Sequence, residues 1–129
     1  MSKKRKITKK GKKELSSRDV ARLIAQATND KKALDLVVLD LRKQSSFTDY
    51  FVIASGRSDR QVQAIAAHID DSLSKAGKRP IGLEGVQSGH WVLIDFGEVV
   101  AHIFYEEIRS FYDLERLWSE APRVRFRLS

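Results

Sequence analysis

The sequence predicts an α/β domain of the α+β kind, in which helices flank a mixed β-sheet of about five strands. Helical and strand-like hydrophobic patterns alternate along the chain, and 42% of its 129 residues are hydrophobic. No apolar run approaches the roughly 20 residues that a membrane helix needs. The domain is predicted over residues 15–120, between a disordered basic tail at 1–14 and a short C-terminal tail at 121–129.

The basic tail carries the whole excess of positive charge. Residues 1–14 hold eight Lys or Arg and one Glu, whereas residues 15–129 hold sixteen of each sign and are neutral. Because its only large apolar side chain after Met1 is Ile7, this tail is predicted to be disordered. Two roles stay open, a passive solubilising extension or weak, salt-dependent contact with RNA. The RNA-contact residues would be Lys3, Lys4, Arg5 and Lys6. A general RNA-binding module is disfavoured, because the domain itself is neutral.

The domain opens with a helix and a strand. Ser16 and Asp19 fit a capping box, and the apolar positions between 20 and 27 line one helix face. Residues 29–32 end this helix. The run 36–41 is nearly continuously apolar and rich in Val and Leu, which predicts a strand buried on both faces.

A second strand and a long helix follow, joined by the turn ASGRSDR at 54–60. The strand is predicted over 49–54, and apolar residues three or four apart predict a helix over 59–76. Gly77 ends the helix. This strand–turn–helix order predicts a parallel crossover to the next strand.

The rest of the domain predicts three strands and a last helix. Residues 79–85 contain a proline and fit a short edge strand. Residues 91–95 and 99–104 form an antiparallel hairpin joined by a glycine-containing turn. One helix is predicted over 111–118. Residues 123–129 alternate charged and apolar side chains, as in a strand or a frayed end.

The turn at 54–60 raises the question of a phosphate site, because a Gly/Ser turn before a helix can hold an anion. Ser58 and Gln61 fit an S-x-x-Q capping box, and Gly56 permits the turn, so each small residue is explained without a ligand. The glycine patterns of known phosphate loops are missing. A helix start is therefore favoured, and a phosphate- or nucleotide-handling enzyme is kept as an alternative.

Other candidate chemistry is sparse. Residues 95–97 spell DFG, the metal-binding triplet of protein kinases, but no other kinase motif accompanies it and a β-turn is predicted. His68, His90 and His102 lack metal-ligand spacing, and His102 is expected to point away from its strand neighbours. The chain has no cysteine, which excludes thiol nucleophiles and Cys-ligated metals. We predict no catalytic residue, cofactor or metal.

Aromatic and apolar side chains crowd together near the end of the domain, interleaved with charged residues. In a single helix over 111–118, Phe111 and Leu117 are expected in the core. One short helix cannot bury so many large side chains, and Tyr, Trp and Arg are enriched at protein–protein hot spots. Trp91, on a neighbouring strand, is expected to join the same surface.

Five segments resemble the Iojap family, the bacterial ribosomal silencing factors. They are VARLIAQA (20–27), ALDLVVLDLR (33–42), SSFTDYFVIASGRSDRQVQAIAAHI (45–69), LEGVQSGHWVLIDFGEVVAHIF (83–104) and EEIRSFYDLERLW (106–118). The resemblance implies a nucleotidyltransferase-like fold, in which the turn at 54–60 lies where transferases keep a G-S loop and paired acids. The acid pair is missing, since Arg60 follows Asp59. The resemblance therefore implies a protein that is not an enzyme.

The same resemblance implies a function at the ribosome. Members of the family bind ribosomal protein L-fourteen on the large subunit in the cytoplasm, block association with the small subunit and lower translation when nutrients are short. Organelle members are linked to large-subunit assembly, which stays an alternative. The expected partner-binding residues are Trp91, Arg109, Tyr112, Leu114, Glu115 and Trp118. Exposed aromatic residues also favour a homodimer when the partner is absent.

Overall fold

The computed structural model describes residues 14–129. The expected RNA contacts Lys3, Lys4, Arg5 and Lys6 lie outside the described residues. The elements in chain order are α1 (Ser17–Asp30), β1 (Leu34–Asp40), β2 (Tyr50–Gly56), α2 (Asp59–Lys75), β3 (Gly82–Glu84), β4 (Trp91–Asp95), β5 (Val99–Tyr105), α3 (Glu106–Tyr112), α4 (Leu114–Leu117) and β6 (Arg123–Val124).

The strands form one mixed sheet in the order β3-β4-β5-β2-β1-β6. Only β2 and β5 pair in parallel among these neighbours. The predicted mixed sheet with flanking helices is confirmed, with six strands instead of about five. The crossover after β2 leads through α2 to β3, which runs parallel to β2 at the far edge of the sheet. The chain then returns through β4, so that β5 lies beside β2.

Side-chain caps explain where the two long helices begin. At α1 the capping box is complete, because Ser16 Oγ accepts from the Asp19 amide at 3.0 Å and Asp19 Oδ2 accepts from the Ser16 amide at 3.1 Å. At α2, Ser58 Oγ accepts from the Gln61 amide at 3.1 Å. The carboxamide Oε1 of Gln61, however, accepts from the Arg57 amide at 2.6 Å, one residue before the cap. The box predicted at α2 is therefore only half formed.

Each face of the sheet carries its own hydrophobic cluster. α1 and α2 cover one face and bury side chains such as Ile24, Ile65 and Ile69 against it. A smaller cluster around Leu39 lies on the opposite face, with side chains of α3 and α4 packed against it. The neighbours Val38 and Leu39 are buried in different clusters, which confirms the prediction of a strand buried on both faces.

The single helix predicted over 111–118 is wrong. Helix α3 already begins at Glu106, directly after β5, and the chain breaks at Asp113 before α4. Asp113 has φ 45° and ψ 54°, the left-handed conformation that Asp tolerates better than most residues. The break removes the helical spacing on which the core placement depended. Phe111 and Leu117, which were expected in the core, are 81% and 75% exposed.

The last residues of the chain extend the sheet. β6 pairs antiparallel with β1, so that Val124 lies opposite Val38 and Arg123 opposite Leu39. Residues 123–129 were predicted to be either a strand or a frayed end. The strand is confirmed for the first two of them. Beyond them, the Ser129 amide donates to Oε1 of Gln26 on α1 at 3.1 Å, which ties the end of the chain to the first helix.

Candidate protein-binding face

The sheet face beneath α3 and α4 is only partly covered. These helices have seven and four residues, so they span a small part of a six-stranded sheet. Phe51 and Trp91 consequently stay half-buried, while the rings deeper in the face are buried. We call this surface the aromatic face and define it by six side chains. They are Phe51, Trp91, His102, Phe104, Tyr112 and Trp118.

Strand register brings the centre of the aromatic face together. Trp91 on β4 lies directly opposite Phe104 on β5, and their rings stack with centroids 4.9 Å apart. Tyr112 reaches this pair from α3, with its ring centroid 4.7 Å from that of Trp91. Phe111 meets Tyr112 edge to face at 5.2 Å. The exposed ring of Phe111 is thus connected, through the rings of Tyr112 and Trp91, to the buried ring of Phe104 on β5.

His102 forms the polar centre of this ring network. Its Nδ1 accepts a hydrogen bond from Nε1 of Trp91 at 3.2 Å, and Phe51 packs edge-on against it at 4.5 Å. Burial lowers the pKa of His102 to about 4, so the ring is neutral at physiological pH. The residue lies on the opposite side from Ala101 and Ile103, as predicted. Its Nε2 is buried without a partner among the described residues.

An ion pair holds α3 and α4 against the sheet. Nη2 of Arg109 lies 2.9 Å from Oε2 of Glu115, and Nη1 of Arg109 donates to Oγ of Ser55 on β2 at 2.9 Å. Nη1 also approaches the carbonyl oxygen of Leu34 at 3.5 Å. Burial opposes the charge of Glu115, but the hydrogen bond and positive charge of Arg109 outweigh it and hold the pKa of Glu115 below its usual value. Arg109 therefore joins two strands and two helices.

The structure places the six expected partner-binding residues on the same side of the sheet but exposes them unequally. Tyr112 is 49% exposed, whereas Arg109 is 8% exposed and engaged inside the fold. The half-buried members are Trp91, Leu114, Glu115 and Trp118. This geometry gives Arg109 a positioning role inside the fold and leaves Tyr112 as the most accessible of the six.

Sequence reasoning missed two of the most accessible side chains on this surface, Phe111 and Leu117. Each lies next to an expected partner-binding residue, Tyr112 and Trp118 respectively. The prediction of one continuous helix over 111–118 assigned both residues to the core. Helical spacing carries no information about a single left-handed residue that interrupts the helix. The one signal for the break was Asp113 itself, since Asp is among the few residues that adopt this conformation.

The turn at 54–60 is built as the start of a helix. Arg57, Ser58 and Asp59 line a shallow pocket together with His90 and Tyr105. Asp59 is the only carboxylate among these lining residues, and its Oδ1 accepts from the Arg60 amide at 2.7 Å. Within residues 14–129, no group of three or more His, Asp or Glu side chains could hold a metal ion.

The DFG triplet forms the predicted β-turn. Oδ1 of Asp95 accepts from the Gly97 amide at 2.7 Å, and Gly97 has φ 91°. These two features close the hairpin between β4 and β5. Across the described part of the chain, no helix has the length and apolar character needed to cross a membrane.

Comparison with known proteins identifies the family. The family model described as "Ribosomal silencing factor during starvation" matches residues 14–128. The chain belongs to the ribosomal silencing factor family. The resemblance seen in the five sequence segments is thereby confirmed. The family match also reaches beyond those segments to include β6 and the residues after it.

Individual relatives agree with this membership. Ribosomal silencing factor RsfS of Bacillus subtilis is 42% identical over 108 residues, which cover 84% of this chain and 92% of that protein. A crystal structure of a Chromobacterium violaceum protein superposes with a TM-score of 0.80 at 35% identity, covering 89% of this chain and 95% of that one. Mouse "Mitochondrial assembly of ribosomal large subunit protein 1" is 31% identical over 100 residues, which cover 75% of this chain and 44% of that protein.

Proposed function

We propose that this ribosomal silencing factor binds the large ribosomal subunit in the cytoplasm through its aromatic face. The observation that carries the proposal is the ring network itself, which supports exposed apolar side chains on a firmly packed base. Phe111, Tyr112 and Leu117 are accessible, and Trp91, which contacts Tyr112, is fixed by stacking and by a hydrogen bond. Aromatic anchors held in this way lose little side-chain freedom on binding.

The protein partner that we propose is ribosomal protein L-fourteen, at the surface where the two subunits join. A stable contact of this kind buries roughly 1,200–2,000 Å² in total. The α1/α2 layer lies on the other side of the sheet and would then project away from the contact. We propose that this bulk excludes the small subunit and so lowers translation when nutrients are short. The mechanism is steric and requires no catalytic residue.

The basic tail adds a second, electrostatic element to the proposal. Lys3, Lys4, Arg5 and Lys6 would contact ribosomal RNA near the protein partner. Contacts with phosphates release counterions, so they make binding depend strongly on salt. Removing residues 1–14 should therefore flatten the salt dependence of binding to large subunits, and an unaltered slope would make the tail a passive extension.

Co-sedimentation tests the central proposal. The purified protein is centrifuged with isolated large subunits, isolated small subunits and joined ribosomes. We expect retention on large subunits only, and a reduced yield of joined ribosomes when the protein is added before the small subunit. Equal retention on every particle would contradict a specific contact, because it would indicate general attraction to RNA.

A role in large-subunit assembly is the second candidate. It is favoured by the name of the mouse relative, which refers to assembly of the ribosomal large subunit. The two roles are separated by depleting the protein from growing cells and profiling ribosomal particles. An assembly role predicts accumulation of incomplete large subunits during growth, whereas silencing predicts a normal profile during growth and an excess of joined ribosomes during starvation.

A further inference from the structure

We propose that the chain carries an RNA-binding strip of arginines along the β6 edge of its sheet. We call it the arginine strip. Its members are Arg18 and Arg22 on α1 and Arg123, Arg125 and Arg127 in the C-terminal segment. The aromatic face and the basic tail do not include any of them.

Alternation along the C-terminal segment creates the strip. Val124, Phe126 and Leu128 pack against the core cluster beneath α1 and α2. In an extended chain, successive side chains point to opposite sides. Arg123, Arg125 and Arg127 therefore point outward, and all three are exposed. At about 3.3 Å per residue, neighbouring arginines of this row begin about 6.6 Å apart.

Helix α1 places two further guanidinium groups along the same edge, on the α1 side of the C-terminal segment. Nη2 of Arg22 donates to the carbonyl oxygen of Arg127 at 3.4 Å. The guanidinium of Arg18 lies over the ring of Phe126, 5.1 Å from its centroid. Both side chains are exposed. The strip is therefore a surface assembled from the two ends of the described chain.

Two carboxylates close to the row are already paired with other arginines. Glu115, whose pKa is lowered in part by Arg123, forms its ion pair with Arg109. Asp40, whose backbone amide donates to the carbonyl oxygen of Pro122 at 2.8 Å, is paired through its side chain with Arg42 at 2.7 Å. Within residues 14–129, none of the ion pairs involves an arginine of the strip.

The positive charge of the arginine strip is a local feature of the surface. Residues 14–129 hold sixteen Lys or Arg against seventeen Asp or Glu, so the described region as a whole is almost neutral. A row of unpaired positive charge on such a body favours an extended polyanion. Guanidinium groups bind phosphate oxygens through two parallel hydrogen bonds, which lysine cannot do.

The choice of RNA as the polyanion rests on the proposed function at the ribosome. Arg123 lies opposite Leu39, which belongs to the cluster on the aromatic-face side of the sheet, so the strip borders that face. A protein partner on the aromatic face and an RNA segment along the edge could thus be bound together. The competing explanation is purely structural, because charged side chains on an edge strand also prevent edge-to-edge pairing between molecules.

Two variants of the full chain with equal loss of charge test the proposal. The first replaces Arg123, Arg125 and Arg127 by Gln. The control replaces Lys31, Arg60 and Arg79 by Gln, which are also exposed and take no part in the ion pairs of the described region. Binding of a labelled single-stranded RNA of mixed sequence is measured between about 50 and 200 mM salt. The basic tail is intact in both variants, so its contribution is the same.

We expect the strip variant to bind the RNA about tenfold more weakly at the lower salt concentration. The slope of log K against log salt should become less steep by about 2. The control variant should stay close to the wild type in both quantities. A third variant with Lys at the three strip positions should keep most of the slope but lose part of the affinity, because it keeps the charges without the forked geometry. Circular dichroism checks that every variant is folded.

Three outcomes would overturn the proposal. Equal losses of RNA affinity in the strip and control variants would show an effect of total charge. No loss of affinity in the strip variant would leave protection of the sheet edge as the role of these arginines. Displacement of the RNA by polyglutamate as effectively as by unlabelled RNA would indicate an acidic protein partner instead. Because free RNA is the probe, the result does not depend on whether the aromatic face binds large subunits.

Discussion

Nε1 of Trp91 donates to Nδ1 of His102 at 3.2 Å, across the antiparallel pairing of β4 and β5. The two residues are not directly opposite, because His102 faces Leu93 in the register and Trp91 faces Phe104. The diagonal bond fixes the indole ring over its stacking partner. It also requires an unprotonated Nδ1, so the neutral ring carries its hydrogen on Nε2. Protonation of His102 should therefore remove a bond on which the aromatic face depends.

The stability of the protein should depend on pH through His102. Burial lowers the pKa of this base from 6.5 to about 4, so the unfolded chain takes up the proton first as the pH falls. The contribution of His102 to the free energy of unfolding is complete above about pH 6.5. This contribution falls by about 3 kcal/mol as the pH drops toward about 4. The measurement is urea unfolding across this range for the wild type and for His102→Asn, whose Oδ1 takes the place of Nδ1 and can still accept from Trp91.

The difference between these two proteins isolates His102. Carboxylates such as Glu115, whose pKa is lowered, also lose their stabilising contribution at low pH, but both proteins share them. We expect the difference between their free energies of unfolding to change by about 3 kcal/mol between pH 6.5 and about pH 4, because only the wild type loses the contribution of neutral His102. Parallel curves from pH 6.5 down to about 4 would assign the pH dependence to other groups.

Side chains at the rim of the aromatic face should contribute binding energy without contributing much stability. Tyr112→Ala should weaken binding to large subunits by about 2 kcal/mol, a loss of about 30-fold. Phe111→Ala and Leu117→Ala should weaken it less, while leaving the melting temperature nearly unchanged because both side chains are exposed. Ile81→Ala is the matched control, since Ile81 is 76% exposed next to the β3 edge.

Affinity and melting temperature are measured together for these four variants. Equal weakening by Ile81→Ala would mean that any exposed apolar residue contributes and that the aromatic face is not special. Unchanged affinity in the other three variants would remove α3 and α4 from the contact. Trp91→Ala is less informative alone, because it also breaks the bond to His102.

Arg109 should act by positioning α3 and α4. Arg109→Ala leaves Glu115 and Ser55 without their partner, and we expect a loss of about 2–3 kcal/mol in the free energy of unfolding. Glu115→Gln should cost less, since its amide oxygen can still accept from the guanidinium. A double-mutant cycle measures the coupling between the two positions. Additive effects would show that the pair seen in the structure does not stabilise the fold.

Two glycines with the same φ angle separate the effect of steric crowding from that of backbone strain. Gly85 and Gly77 both have φ 83°, which L-residues rarely adopt. A Cβ on Gly85 would lie 2.0 Å from the carbonyl oxygen of Trp91, whereas a Cβ on Gly77 would meet no atom within 4 Å. Gly77→Ala should therefore cost about 1 kcal/mol, and Gly85→Ala at least about 3 kcal/mol.

The same pair of variants links the loop after β3 to the aromatic face. Because the added Cβ at Gly85 collides with the backbone of Trp91, it should also displace the indole ring. Near-ultraviolet circular dichroism and tryptophan fluorescence report on that ring. Identical spectra and stabilities for Gly85→Ala and Gly77→Ala would contradict the close approach.

Regular elements were predictable where one local signal was enough. The hydrophobic period of α2 and its two ends place the helix within one residue of its observed bounds, 59–76 against Asp59–Lys75. The hairpin of β4 and β5 followed from two apolar strands around a glycine turn. In both cases, the residues that define the element lie next to one another in sequence.

Features that depend on a single backbone conformation or on distant contacts were not predictable. Periodicity could not reveal the left-handed Asp113, so α3 and α4 were merged and Phe111 was assigned to the core. The place of β3 at the far edge depends on pairing between strands that are remote in sequence. The contact of Arg109 with Ser55 likewise joins residues 54 positions apart.

The left-handed residue at Asp113 also limits how the proposed binding surface can be imitated. It divides the segment 106–118 into helices of seven and four residues, which are too short to persist in water on their own. Trp91, Phe51 and the Ser55 anchor of Arg109 come from other parts of the chain. A synthetic peptide copied from this segment would therefore be a poor competitor, and an inhibitor of the contact would have to reproduce a folded surface.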